Sequence, residues 1–520
     1  MGERFDAVVI GSGIGGLTAA LTMAMAGRSV LVLEAGKQFG GYLNPFARRH
    51  VHFDPGLHYV GELHEGGTLR RLFERMGMGD LEFAELDPDA FDRYVFPDFE
   101  IANCVGLDRF RDRLAEALPR ERPALDRFFR VLKEFDAFVS KAGVLSKLRS
   151  VPRFARWFRA TLGEMLDHYF DDPRAKAALA GPVGDLGAPP SKLSAIMHLG
   201  LLSHYARGAF FPRGGAGAIR DAYVRELEQH GATLERNQLV ERILHRGGRA
   251  VGVQLADGRI VDAAIVISNA QAVLTYEMAG LSNFSQRLQR KVRRIEHSLA
   301  SNIVFMAVSD KLETGHIGSS NIWNYESLDI DTCFGPEAMA DHRKAGSYFL
   351  TVPTQKDASG RLAPEGVQTV ETVALTSSET YARWFGTRTK RRGEDYETLK
   401  ESIAQFYIDQ AEAHLPGLRE HLIFYEVSTP ATNLTYSLAP FGNIYGPAHT
   451  PDQSFPFRFA VRSPVDGLFL CGASTRSAGI ASCAYSGRQA GREALAFSEG
   501  RARARLPFAR RPRDHGPAAN

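Results

Sequence analysis

The run Phe5-Asp6-Ala7-Val8-Val9-Ile10-Gly11-Ser12-Gly13-Ile14-Gly15-Gly16 decides the reading of this chain. Phe5 to Ile10 is a short apolar stretch bounded by glycine, the pattern of a buried strand. Leu17 to Ala26, rich in Ala, Leu and Met, favours a helix. The glycine loop therefore joins a strand to a helix. Gly11 permits the tight turn, Gly13 lets a pyrophosphate approach the main chain, and Gly16 allows close helix packing. The helix start adds free N–H groups and the positive end of the dipole. A second strand, Ser29-Val30-Leu31-Val32-Leu33, ends at Glu34, eighteen residues after Gly16, where a carboxylate can accept from ribose hydroxyls. Strand, turn, helix, strand and acid in this order predict a dinucleotide-binding unit, with Ser12, Ile14, Gly15 and Ala35 beside the glycines and Glu34 as binding residues.

The same region, Ala7 to Gly27, is uncharged and long enough to cross a bilayer. Four glycines between Gly11 and Gly16 favour a turn over continuous helix, and Glu3, Arg4 and Asp6 are not the basic leader of a signal peptide. A soluble or peripheral, cytoplasmic protein is expected, with peripheral contact on the inner membrane face open. The whole chain has 520 residues, 44% hydrophobic and 24% charged, which suits an ordinary multidomain globular protein. A net charge of +3 gives no sign of a nucleic-acid partner. Cys104, Cys333, Cys471 and Cys483 form no CxxC, so neither a disulfide scaffold nor a dithiol site is expected. His198 and His204 lack carboxylates at ligand spacing, and no metal is expected.

The fingerprint alone does not separate NAD from FAD. Gly40-Gly41 and Asp54-Pro55-Gly56 are further glycine turns, spaced as if the chain folds back along an extended cofactor, although ordinary surface turns would read the same way. Glu34 to Gly41, followed by Phe53-Asp54-Pro55-Gly56-Leu57-His58-Tyr59-Val60-Gly61, resembles the phytoene desaturase, carotenoid isomerase and retinol saturase family of FAD enzymes. So do Phe211 to Gly217, Gly442-Asn443-Ile444-Tyr445-Gly446, and Gly467 to Gly472 continuing to Gly479-Ile480. The resemblance implies FAD as cofactor. It places Gly40, Gly41, Tyr42, Gly56 and Leu57 along it, Val240 at the adenine, and Gly472, Ala473, Gly479, Ile480 and Ala481 against the pyrophosphate and isoalloxazine. Ala481-Ser482-Cys483-Ala484-Tyr485 replaces the Pro-Gly-rich turn usual in the desaturases, and a small residue packed under the ring is the reading preferred there.

Residues 218–230 read as a helix and Ala232 to Val240 as a strand. Ala250 to Leu255 and Arg259-Ile260-Val261 flank Asp257-Gly258 as a hairpin, and Ala264-Ile265-Val266-Ile267 reads as a fourth buried strand. The fold class expected is α/β: a Rossmann-like FAD-binding domain, parallel sheet with β-meander, beside an α+β substrate domain. The FAD-binding domain would be discontinuous, from 1–65, 205–300 and 435–500. The substrate domain would take 66–204 and 301–434, with a helical part near 105–170 and a basic, disordered tail at 501–520. Between Asp136 and Glu164 stand Lys141, Lys147, Arg149, Arg153, Arg156 and Arg159 with no acid. On a helix beginning near Pro152, Phe154, Trp157, Phe158, Thr161, Leu162 and Met165 share one face, and Phe128, Val131, Leu132, Phe135, Phe138 and Val139 repeat the spacing upstream. Such a basic, aromatic pair suits an anionic membrane surface, or else its stripe faces the core and its arginines are solvated.

The resemblance further implies hydride exchange between flavin N5 and an allylic carbon of a long apolar polyene, giving desaturation, saturation or isomerisation. The 33 Phe suit an apolar small-molecule tunnel. For a proton partner His58 comes first, followed by Tyr59, Tyr445 and Arg476; a structural histidine is the other reading of His58, and Asp54 reads as holding its turn. Two other functions remain: an amine-oxidase-like flavoenzyme, and a non-enzymatic prenyl-protein escort of the same fold. Oligomeric state is not legible.

Overall fold

The computed structural model describes residues 3–140 and 154–501. Two seven-stranded sheets organise them. The first runs in the order Val240–Arg246, Arg249–Leu255, Ile260–Ser268, Arg4–Ile10, Val30–Glu34, Thr233–Arg236, with Leu468–Leu470 also paired to Ile260–Ser268. Arg4–Ile10 is central and parallel to both neighbours, with Val8 opposite Val266 on one side and Leu31 on the other. Both faces are covered, which is why these strands are continuous apolar runs. Ala7 and Val9 pack towards the helices Ile14–Ala24, Ala216–Gln229 and Ile480–Ser498, whereas Val8 and Ile10 pack towards Val253, Val261 and Tyr276. The alternation is the two-residue period of a strand. The class is α/β, a parallel Rossmann-like sheet carrying a β-meander.

Within this sheet, local assignments differ from the sequence reading in three places. Ala232 to Val240 is not one strand; Thr233–Arg236 joins the parallel sheet, and Val240–Arg246 starts the meander after Asn237 turns with φ 58°. Arg259 to Val261 and Ala264 to Ile267 belong to one strand, Ile260–Ser268, because its first half pairs with the meander and its second with Arg4–Ile10. A second hairpin closes at Gly247-Gly248, where Arg246 pairs with Arg249.

The second sheet runs Leu422–Ser428, Ala300–Ser309, Val367–Thr376, Ser347–Thr351, Asn321–Tyr325, Asp92–Phe96, Phe99–Asn103. All its pairs are antiparallel except Asn321–Tyr325 with Asp92–Phe96. Helices Arg122–Ser140, Leu162–Tyr169 and Ala195–Tyr205 stand against it in an aromatic-rich core.

The helix expected from Pro152 is instead a 3-10 turn, Ala155–Phe158, followed by a new helix, Leu162–Tyr169. Thr161 Oγ1 accepts from Glu164 N at 3.2 Å while the Glu164 carboxylate accepts from Thr161 N at 2.8 Å, a reciprocal cap that starts the helix there. Phe128, Leu132, Phe135, Phe154, Trp157, Leu162 and Met165 are buried in the protein's own core, so among the described residues this stripe faces inward, except that Val139 is exposed and Thr161 serves as the cap. Arg156 lies over the Trp157 ring at 4.2 Å and Arg159 over Phe457 at 5.1 Å. Lys141, Lys147, Arg149, Arg153 and the basic tail past Arg501 lie outside the described residues. No helix among the described residues is long and apolar enough to cross a membrane.

Candidate functional site

The candidate dinucleotide cradle is built from main chain knit together by the side chains of Ser12 and Glu34. Ser12 lies at its centre: its N and Oγ donate to Glu34 Oε2 at 2.9 and 2.5 Å, and its Oγ accepts from Gly40 N at 3.0 Å. Glu34 Oε1 accepts from Gly36 N at 2.7 Å, so the acid after the second strand knits three loops together. A Cβ on Gly41 would stand 3.3 Å from Gly13 Cα, so these two turns face each other with no side chain between. Helix Ile14–Ala24 begins at Gly13 and helix Ile480–Ser498 at Gly479, neither with a side-chain cap, leaving first-turn N–H donors for a ligand.

The two helices cross where any Cβ on Gly487 would overlap the Gly15 carbonyl. Gly15 opens its helix, whereas Gly487 lies seven residues into its own, so the second N-terminus is about 10 Å beyond the crossing. Gly479 adopts φ +90°, and a Cβ there would meet nothing within 4 Å. Two uncapped helix starts brought close by glycine packing suit an extended molecule with a negatively charged middle.

Each cofactor candidate has a defined place. Gly11, Gly13 and Ala35 are partly open, Gly41, Gly56 and Gly479 exposed, and Ser12, Ile14, Gly15, Gly16 and Gly40 buried. Gly15 and Gly16 face inward and serve packing. Tyr42 donates to Asn433 Oδ1 at 3.0 Å, and its Cβ would be 2.7 Å from a Cβ on Gly56. Leu57, Gly472 and Ala481 are buried, and Ala473 and Ile480 half-buried. Val240 begins the meander opposite Leu255.

One cradle residue escaped the sequence reading. Asn269, just past Ile260–Ser268, fills the space that Cβ atoms on Gly13, Gly15 and Gly472 would need, at 2.7, 2.5 and 2.7 Å. Its only sequence signal was its place at the end of a buried strand.

Beyond Gly56 the chain enters a different kind of site. Lys356 Nζ donates to the His58 carbonyl at 2.8 Å and to Asn321 Oδ1 at 2.5 Å. Asn321 Nδ2 donates to Asp92 Oδ1 at 2.9 Å. The Tyr59 hydroxyl lies 3.2 Å from Asp92 Oδ2 and 3.0 Å from Asp185 Oδ2. Asp92 and Asn321 are wholly buried, Lys356 is 4% and Tyr59 7% exposed, while Asp185 keeps an open face. Burial, and then the neighbouring Asp92, push the Asp185 carboxyl up to about 7. Burial lifts Asp92 to about 6 against its bonds from Asn321 and Tyr59. Burial also pulls Lys356 down to about 7, opposed by Asp92, Glu371 and Asp185.

Glycines again fix the geometry. The 3-10 turn Gly181–Leu186 lies directly on the sheet, since a Cβ on Gly181 would be 2.6 Å from the Tyr94 ring and one on Gly184 would overlap Trp323. Gly187, at φ +65°, then turns the chain against Tyr445, whose ring would be 2.8 Å from a Cβ there. Tyr445, on the loop leading to Gly446 and Ala473, and Tyr59, on the loop leading from Gly56, thus bracket Asp185. Aromatic rings surround the group: Tyr59 stacks on Tyr205 at 4.7 Å and lies parallel to Phe349 at 6.3 Å, and Trp323 meets Phe349 at 4.8 Å.

His58 Nδ1 approaches Glu371 Oε2 at 3.3 Å. Arg476 is exposed, its guanidinium 5.3 Å from the Tyr485 ring centre and apart from the buried network. Asp54 is buried and accepts from Ala216 N at 3.0 Å, anchoring a helix start; burial lifts it to about 7. His198 bonds the Leu179 carbonyl at 2.7 Å and His204 the Glu62 carboxylate at 3.0 Å. Neither Asp92, Asp185, Asn321 nor Lys356 was singled out by sequence, because no spacing connects them.

The sequence profile of flavin containing amine oxidoreductases matches residues 14–495. An all-trans-retinol 13,14-reductase from Danio rerio is 28% identical over 518 residues, covering 92% of this chain and 84% of that one. Prolycopene isomerase 2 of an Oncidium hybrid cultivar is 27% identical, covering 93% and 83%. Among solved structures, an oxidoreductase from Methanosarcina mazei superposes with a TM-score of 0.65 at 16% identity, covering 94% of this chain and 99% of that one, a likeness of fold.

Proposed function

The chain belongs to the flavin-containing amine oxidoreductase family and is an FAD enzyme, and from that premise we propose that it saturates or isomerises a C=C bond of a long apolar polyene. The observation that carries the substrate class is end-to-end similarity to enzymes named for retinol reduction and prolycopene isomerisation. The cradle fits FAD: its donors are main-chain N–H groups at two helix starts, and its volume is kept free by glycine. Gly11, Gly13 and Gly41 would take the pyrophosphate, Glu34 the ribose, Val240 the adenine side, and the start of Ile480–Ser498 the isoalloxazine. Bound FAD supplies two-electron hydride chemistry. The protein's part is to exclude water, align the polyene between aromatic walls such as Phe349, Tyr205 and Tyr445, and manage the accompanying proton.

The test is direct. The purified holoenzyme is expected to be yellow, to bleach on anaerobic reduction, and then to convert all-trans-retinol to a product that is heavier by two hydrogens or isomeric. Hydrogen peroxide from amines with polyenes untouched would instead assign an amine oxidase. A folded, colourless protein that cannot be reconstituted with FAD would assign an escort.

Peripheral contact with an anionic membrane is the second reading, favoured by a surface other than the expected helical pair. Helix Gln286–Arg293 and the next residue present Arg287, Arg290, Lys291, Arg293 and Arg294, all exposed and without an ion pair among the described residues. Lys291 Nζ reaches the Phe457 carbonyl at 2.9 Å, two residues along the chain from exposed Phe455, and His297 packs on exposed Phe441 at 5.3 Å. Cations beside exposed aromatic rings suit a headgroup layer, at about 1 kcal/mol per cation. Sedimentation with anionic liposomes at low salt and release at high salt would support it; indifference to lipid at every salt concentration would remove it.

A further inference from the structure

Tyr59 has one hydroxyl proton, and it faces two carboxyl oxygens, Asp92 Oδ2 and Asp185 Oδ2. A phenol donates once, so the second contact needs a carboxyl group that brings its own proton. Asp92 is the ionised member: it accepts from Asn321 Nδ2, and Lys356 stands behind that amide as the balancing cation. Asp185 is then the protonated member, donating to Tyr59 while Tyr59 donates to Asp92. It is also the member with an open face, placed between the two loops that lead from the FAD cradle. On the reading of function given above, we propose that Asp185 is the acid of a saturation reaction, adding a proton to the polyene carbon across the double bond from the one that takes hydride.

The balance is closed. The hydride and its electron pair would come from reduced FAD held by the cradle, which would leave oxidised. Asp185 provides the proton, the C=C π bond breaks, and two C–H bonds form. As Asp185 becomes a carboxylate, the Tyr59 hydroxyl turns its proton from Asp92 to Asp185 and stabilises the new charge, so Tyr59 is a positioning residue. Asp185 recovers its proton from water after product leaves. Burial and the facing Asp92 hold the acid protonated to about pH 7. The other groups facing it are Tyr59, Tyr205, Tyr94, Tyr325 and Tyr445, with Lys356 as the nearby cation.

The test uses dithionite-reduced holoenzyme with all-trans-retinol, scored by product mass. Asp185→Asn should lower formation of the product heavier by two hydrogens by about 10²–10⁴-fold, the range of a lost general acid, with FAD still bound and reducible. Tyr59→Phe should lower it less and move the fall in kcat/KM with pH upward. A readout independent of turnover is the infrared C=O stretch of protonated carboxyl groups in the resting holoenzyme at pH 6, to which buried Asp54 also contributes: Asp185→Asn should remove one component of the band and Tyr59→Phe should keep it. Saturation by Asp185→Asn within threefold of wild type, wild-type isomerisation without mass gain, or an unchanged infrared band would each overturn the proposal while the reading of function stands. A wild type inert towards all polyenes would overturn that reading, and the proposal with it.

Discussion

The two halves of the site are built from opposite materials. The cradle around Gly11–Gly16, Gly40-Gly41 and Gly479 works through main-chain donors and withheld side-chain volume, whereas the site beyond Gly56 works through five polar side chains, four buried and Asp185 half-buried, gathered from residues 59, 92, 185, 321 and 356. A backbone site should lose more to an added methyl group than to a changed charge. A side-chain site should do the reverse.

The sharpest attack on this contrast is Lys356→Met at pH 6. The volume is nearly kept, but the cation behind Asp92 is gone, and removing one partner of a buried charge group costs about 3–5 kcal/mol. Thermal unfolding should show a large fall in Tm with FAD binding little affected in the surviving folded fraction. A shift of under a degree would mean that the network is wetter and less coupled than its burial indicates.

Next comes Gly487→Ala. One methyl group driven into the Gly15 carbonyl separates the first and last helices, at about 1–3 kcal/mol for overpacking. The expected outcome is a folded protein purified with little flavin, read as flavin absorbance per chain. Full flavin content would break the claim that this crossing sets the cradle.

Glu34→Gln should be milder. It keeps the shape but weakens charge-assisted bonds from Ser12 and Gly36, each worth about 1.5–3 kcal/mol, so FAD affinity measured by flavin fluorescence should fall about tenfold or more.

The Asp185 titration sharpens the other half. Its carboxyl in the folded protein is raised to about 7, above its unfolded value near 4, so the folded state binds the proton more tightly. The stabilisation is complete below about pH 4 and is lost as pH rises through 7. Tm of wild type should therefore fall relative to Asp185→Asn across that window. A constant difference would show that Asp185 is ionised throughout.

Arg476→Ala is the smallest, within about 0.5 kcal/mol in stability, since the side chain is exposed and covers only the Tyr485 ring.

This contrast also explains what could be read in advance. Gly11, Gly13, Gly16 and Glu34 are close together in the chain, and their spacing is dictated by one turn of backbone, so the cradle and the α/β class were legible. The hairpin at Asp257-Gly258 was legible for the same local reason. Tyr59 and Tyr445 were noticed only because they adjoin glycine blocks. Asp92, Asp185, Asn321 and Lys356 meet through sheet pairing and a 3-10 turn resting on Tyr94 and Trp323, contacts that leave no periodic trace. The aromatic stripe through Phe154 and Trp157 showed its apolar face but not what covers it; that depended on Ala195–Tyr205 and Arg122–Ser140 arriving from elsewhere.

The crossing of the first and last helices at Gly15 and Gly487 sets a timetable. About five hundred residues must leave the ribosome before the nucleotide groove has its second wall, so flavin loading is the closing event of biogenesis. Until then helix Ile14–Ala24 has its neighbours from Val30–Glu34 and Ala216–Gln229 but lacks the cover that Ile480–Ser498 gives it.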